Sequence, residues 1–135
     1  MSDLIIDYII SSDKTSLQID RICKLLSNSY WAQNRSKDVI IKSIENSVCF
    51  GVYVKNLQIG FARAVTDYAT VYWICDVIID EAYRGKGLGK ALMKTITESG
   101  ELKSLPGILG TKDAHGLYLQ YGFKRDAEGF MRKRI

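Results

Sequence analysis

Apolar residues change their spacing several times along this chain, and each change marks an element. Residues 4–10 are rich in isoleucine and predict a strand. Over residues 16–29 the spacing becomes helical, with Ile19, Ile22, Cys23, Leu26 and Tyr30 on one face. Ser36 sits where an N-cap is needed for a second helix through Ile40, Ile41 and Ile44. Alternation then predicts strands at 48–54, 58–66 and 71–79, joined by tight turns at Lys55-Asn56 and Asp67-Tyr68-Ala69. Asp76 alone interrupts the apolar run of the third. Helical spacing returns over 87–99, with Leu88, Ala91, Leu92, Thr95, Ile96 and Ser99 sharing a face. A short strand at 106–111 and a helix follow, the helix capped by Asp113, carrying Ala114, Leu117, Tyr118 and Tyr121, and stopped by Gly122. The tail, 123–135, predicts one or two closing strands. The order of elements is that of a mixed α/β domain.

The crossover from the third meander strand to the next helix runs through Arg84-Gly85-Lys86-Gly87-Leu88-Gly89. Unpaired N–H groups leave a helix's first turn, and the helix dipole adds partial positive charge there. Glycines let an anion approach the backbone. The segment thus predicts a phosphate site, with Arg84, Lys86 and Lys90 adding full charges nearby, or else a turn that only connects strand to helix. The dinucleotide fingerprint fails: counted from Gly85 its last position is Lys90, and from Gly87 it is Leu92. The P-loop fails as well. Gly89-Lys90 is followed by Ala91, and Arg84 occupies the early glycine position.

Arg-x-x-Gly-x-Gly in this context resembles the coenzyme-A-binding motif of the GNAT superfamily of N-acetyltransferases. The stretch 75–83 is similar to that family's fourth strand and turn, and 87–93 to the start of its third helix. Leu117-Tyr118-Leu119-Gln120-Tyr121-Gly122-Phe123 resembles its Leu-Tyr-x-x-x-Gly-Phe signature. The resemblance implies a GNAT fold over residues 1–135 as a single domain. That fold is a mixed, mostly antiparallel twisted sheet of six to seven strands with about four helices, its fourth and fifth strands splayed to admit the cofactor. It implies acetyl-CoA as co-substrate, no metal, and direct transfer of acetyl to a primary amine of a small molecule or peptide. Residues Gly85, Lys86, Gly87, Leu88, Gly89 and Lys90 would hold the pyrophosphate together with Arg84. Main-chain groups of Val77 and Ile79 would pair with the pantetheine arm.

Direct transfer needs a neutral amine, a stabilised oxyanion and a proton for the leaving thiolate. The resemblance places Tyr118 as that proton donor, and a phenol with pKa near about 10 is protonated at neutral pH. Tyr118 shares its helix face with apolar residues, so a packing role is the alternative; Tyr121 is the reserve candidate. Asp76 either accepts a proton through water or orients an ammonium, or it is a structural acid paired with an arginine such as Arg63. Tyr30, Trp31, Arg63 and Trp73 are the candidates for the acceptor pocket. Arg63 would signal an acidic group on the acceptor if it faces the cleft. Cys75, with no histidine near it, reads as an inert thiol.

Composition narrows the picture. The chain has 135 residues, 47% hydrophobic and 25% charged, with net charge +4 and scattered lysines and arginines. That suits an anionic ligand without the concentrated basic face of a nucleic-acid binder. Three separated cysteines and one histidine predict neither a disulfide framework nor a zinc site. No apolar run is long enough for a membrane span, and the N-terminus lacks a signal-peptide pattern, so a cytoplasmic setting is expected. Two functions remain in view, an N-acetyltransferase and a non-catalytic acyl-CoA-sensing module of the same fold, with homodimer assembly left open.

Overall fold

A computed structural model describes residues 6–111, 114–126 and 128–135. The elements run β1 (Ile9–Ser11), α1 (Ile19–Ser27), α2 (Lys37–Glu45), β2 (Val48–Val54), β3 (Leu57–Thr66), β4 (Tyr72–Ile79), α3 (Leu88–Glu98), β5 (Gly107–Leu109) and α4 (His115–Leu119). The strands form one sheet in sequence order, antiparallel from β1 to β4 and parallel between β4 and β5. A parallel join needs a crossover, and α3 supplies it.

Local chemistry explains most of the boundaries. The Ser36 hydroxyl accepts from the Val39 N–H and starts α2. Lys55 and Asn56 both take positive φ, 49° and 68°, as the two-residue hairpin between β2 and β3 demands. At the end of α4, Gly122 adopts φ 90° and the Phe123 N–H reaches back to the Tyr118 carbonyl at 3.3 Å. The expected cap Asp113 lies outside the described residues, as do Leu4 and Ile5 of the expected first strand.

The expectation of six to seven strands is corrected to five. No strand forms among the described residues of 123–135. The segment carries Lys124, Arg125, Asp126, Glu128, Arg132, Lys133 and Arg134 without apolar alternation, so it has no face to bury. Phe130, Met131 and Ile135 are exposed.

The sheet is covered on both faces. On one, Phe50, Val52, Ala62 and Ala64 pack with Leu88, Leu92, Met93 and Ile96 of α3. On the other, Cys49, Phe61 and Ile78 pack with Ile22, Leu26, Ile40 and Ile44 of α1 and α2. β4 contributes to both faces in an unusual way. Tyr72 and Ile74 belong to the α3 side, whereas Ile78 belongs to the α1–α2 side, although simple alternation puts all three together. Between them the ladder slips. Arg63 pairs with Cys75 while Phe61 pairs with Ile78, so β4 carries one residue more than β3. Asp76, at φ 57°, lies in this bulge, which exchanges the two faces of the strand.

β5 pairs with β4 only through Tyr72, Trp73 and Ile74. Gly107 stands opposite Tyr72, and a Cβ there would lie 2.6 Å from the tyrosine ring. That ring is buried, so Gly107→Val should displace it and destabilise the fold by roughly 1–3 kcal/mol. Urea unfolding monitored by tyrosine and tryptophan fluorescence checks this; an unchanged midpoint contradicts it.

Candidate active site

Beyond Ile74 the two strands part. The outer edge of β4 from Cys75 to Ile79 then faces a cleft of about 1060 Å³. Leu109 at the end of β5, Gly110 and Thr111 after it, the N-cap Ala114, and Leu117 and Tyr118 of α4 form the opposite wall. The 84–89 loop closes one end, and Tyr30, Trp31, Arg35, Arg63 and Trp73 line the other. Of the expected site residues, all but Lys86 and Lys90 line this one cavity; those two side chains are exposed outside it.

The loop is built as an anion cradle. A single turn of 3₁₀ helix over Glu81–Tyr83, capped by Asp80, leads from β4 into it. Gly85 and Gly87 take φ of 79° and 81°, which other residues adopt only at a cost. Open space surrounds both, so the backbone angle and not crowding requires glycine. Gly87 is the N-cap of α3 and offers no side-chain acceptor. Among the described residues, the N–H groups from Gly85 to Lys90 donate to no protein acceptor. The first intrahelical bond is that of Ala91 to Gly87 at 3.1 Å. A run of unpaired donors at a helix N-terminus suits a phosphate group.

Three contacts fix the cradle. Arg21 donates to Asp80 at 2.8 Å, joining α1 to the loop's entry. The Asp80 carboxyl sits below its ordinary pKa, through the Ala82 N–H first and Arg21 second. Arg84 folds back, its Nε donating to the Ile79 carbonyl at 3.0 Å. Across the cleft, the Tyr121 hydroxyl donates to the Lys90 carbonyl at 2.9 Å and ties α4 to α3. Tyr121 thereby acts as a tether between the two helices, and Tyr118 lines the cleft, half-buried and edge-on to Phe123.

Main-chain direction along β4 follows from two bonds. The Asp80 N–H points to β3, donating to Ile59, so Ile78 faces the same way. Val77 and Ile79 then face outward, and the Ile79 carbonyl bonded to Arg84 agrees. The outer edge therefore presents the Val77 and Ile79 backbone to the cleft.

Asp76 anchors the other end. Its Oδ2 accepts from Arg63 Nε and Arg35 Nη1, each at 2.8 Å, and its Oδ1 from Trp31 Nε1 at 3.0 Å. Arg63 Nη1 also reaches the Ser47 hydroxyl at 3.2 Å. Burial alone would raise the Asp76 pKa. The hydrogen bond and charge of Arg63, reinforced by Arg35, outweigh that and hold it below the ordinary carboxylate range. Burial raises the Cys75 thiol, against the pull of Arg63, which leaves it a weak nucleophile. Arg35 is the residue that sequence reasoning missed. It sits in a loop with no motif around it, and only the approach of that loop to β4 reveals it. Among the described residues, no cluster of three or more His, Cys, Asp or Glu side chains could hold a metal, and no helix is long and apolar enough to cross a membrane.

Comparison with known proteins agrees with this geometry. Residues 45–125 match the family model described as "Acetyltransferase (GNAT) domain". A Xanthomonas campestris structure assigned to the GNAT family superposes with TM-score 0.90 at 34% identity, covering 96% of this chain and 94% of that one. A GNAT family acetyltransferase from Elizabethkingia anophelis, solved with acetyl-CoA bound, shares the fold at TM-score 0.67 and 20% identity, over 87% of this chain and 76% of that one. A curated Gibberella zeae relative, provisionally named an acetyltransferase, is 28% identical over 69% of this chain. The match spans 64% of that relative's length.

The Asp76 linkage has a definite sign. Its folded pKa is depressed, so its contribution to stability is present above the unfolded value of about 3.9 and lost as pH falls through the folded one. Asp76→Asn should lower stability at pH 7 by the low end of the roughly 3–5 kcal/mol typical of a broken buried pair, since the arginines keep some contact with water. It should also flatten the loss of stability as pH falls below about 4, because the depressed carboxylate that must be protonated there is gone. Urea titrations of both proteins across that range are the check, and parallel curves would contradict it.

Proposed function

This chain belongs to the GNAT acetyltransferase family, and we propose on that basis that its cleft binds acetyl-CoA and delivers the acetyl group to an amine. The observation that carries the reading is the cradle itself. Unpaired N–H groups and two positive-φ glycines stand at one end of a cleft whose wall is an unpaired strand edge. A pyrophosphate fits the first feature and an extended amide-bearing arm the second. When bound, acetyl-CoA supplies an activated acyl carbon on a thiol leaving group.

The protein's own groups perform the remaining work. The N–H groups of Gly85 to Lys90 hold the phosphates, and the dipole of α3 adds to their attraction. The outward Val77 and Ile79 main chain aligns the arm in extended form and brings the thioester toward the bulge. An N–H of this segment donates to the carbonyl oxygen as that oxygen gains charge. Tyr118, on the opposite wall, supplies a proton to the departing sulfur, a role open to a phenol, whose ordinary pKa is about 10. Asp76 serves as a positioning group. A carboxylate already held by two arginines and a tryptophan is a poor proton acceptor, and the incoming amine must lose its proton elsewhere.

Tyr118→Phe should lower kcat for acetyl transfer by about 10²-fold or more while calorimetric affinity for acetyl-CoA stays within a factor of about two. Equal turnover would remove Tyr118 from the reaction. Gly87→Ala should destabilise the free protein by roughly 1–2 kcal/mol through its φ, and weaken CoA binding at least about tenfold. Tight CoA binding by the unaltered protein with no thiol release across a broad amine panel would instead favour a sensing module.

A further inference from the structure

The acceptor end of the cleft carries more positive charge than its own fold consumes. Among the described residues lining the cleft Asp76 is the only acid, and two guanidiniums share its one oxygen Oδ2. Neither arginine makes the two-pronged pairing that would match all its donors to the carboxylate. Arg35 donates only one of its N–H groups and Arg63 only two to partners among the described residues. A net charge of one therefore remains at a site reached by solvent, with side-chain exposures of 23% for Arg35 and 13% for Arg63. The donor's phosphates do not account for it, because they belong at the 84–90 loop at the opposite end.

Resting on the acetyl-transfer reading above, we propose that the acceptor is a small amine bearing a carboxylate, which Arg35 and Arg63 bind while Trp31 and Trp73 flank its apolar body. Two observations set its size and character. Both guanidiniums touch Asp76, which immediately precedes Val77 on the strand edge read above as holding the thioester, so the anion subsite and the reacting end of the cleft are neighbours. An acceptor whose amine and carboxylate are close together, as in an α-amino acid, suits that arrangement. The surrounding surface is aromatic. Trp73 and Trp31 are 41% and 40% exposed, Tyr30 stacks edge-on against Trp31, and Val65 pairs across the ladder with Trp73. A bulky apolar or aromatic side chain fits that wall.

The test compares phenylalanine, phenylalanine amide and phenethylamine as acceptors, following free thiol from acetyl-CoA and correcting each rate for its fraction of neutral amine. The carboxylated amine should exceed both others in kcat/KM by at least about tenfold. Arg35→Gln should shrink that ratio to near unity, and Arg35→Lys should restore part of it; both variants lose some melting temperature with the Asp76 contact, and cooperative unfolding with an unchanged far-UV circular dichroism spectrum confirms that they fold. Transfer to the uncharged amines at equal or higher kcat/KM overturns the carboxylate proposal and leaves acetyl transfer standing. If no amine turns over, phenylalanine binding to the CoA-saturated protein decides. Binding that Arg35→Gln weakens at least about tenfold supports the carboxylate subsite and ends the transfer reading. No binding overturns both.

Discussion

One carboxylate holds this cleft in shape. Asp76 sits at φ 57° in the bulge of β4, a conformation that costs a non-glycine residue of order 1–3 kcal/mol unless its surroundings fix it. Hydrogen bonds from Arg63, Arg35 and Trp31 fix it. They come from two places in the chain: Arg63 from β3, and Arg35 and Trp31 from the loop between α1 and α2. The same three contacts therefore pin the strand, set the acceptor wall and dock the segment that carries both Trp31 and Arg35.

The bulge also decides what each half of β4 does. Before it, Trp73 and Cys75 lie on the α1–α2 side, where the helices leave the sheet partly uncovered. After it, Ile78 takes that side and fills the core beneath α1 and α2, while Val77 and Ile79 turn to pack toward α3. Without the extra residue, Ile78 would be on the wrong face and Phe61 would lose its neighbour. The strand's outer edge stays unpaired past Ile74 because β5 ends at Leu109. An open edge is normally a liability. Here it faces inward, into a cleft whose opposite wall is tied down by Tyr121 on Lys90.

Charge is distributed along the cleft by chemistry, not by accumulation. At the loop end the attraction comes mainly from backbone N–H groups, with Arg84 held back against Ile79. At the acceptor end it comes from side chains, and one acid cancels only one of two arginines. On the proposed reading, this separation lets the two ends take two different anions without competing.

Sequence by itself determined the elements, the alternation that builds the meander, and the cradle at residues 84–89. Those features depend on contacts between residues near one another in the chain: periodic apolar faces, a capping Ser36, glycines at positive φ. It overreached at 123–135, where closing strands were expected from position in the fold but the residues there lack an alternating face to bury. Asp76 was legible as an oddity in an apolar strand, yet its two readings stayed open. Only the tertiary structure shows its partners, because Arg63 is thirteen residues away, Arg35 forty-one and Trp31 forty-five. A carboxylate's proton affinity depends on the charges beside it in space, and no local pattern records which arginines those are.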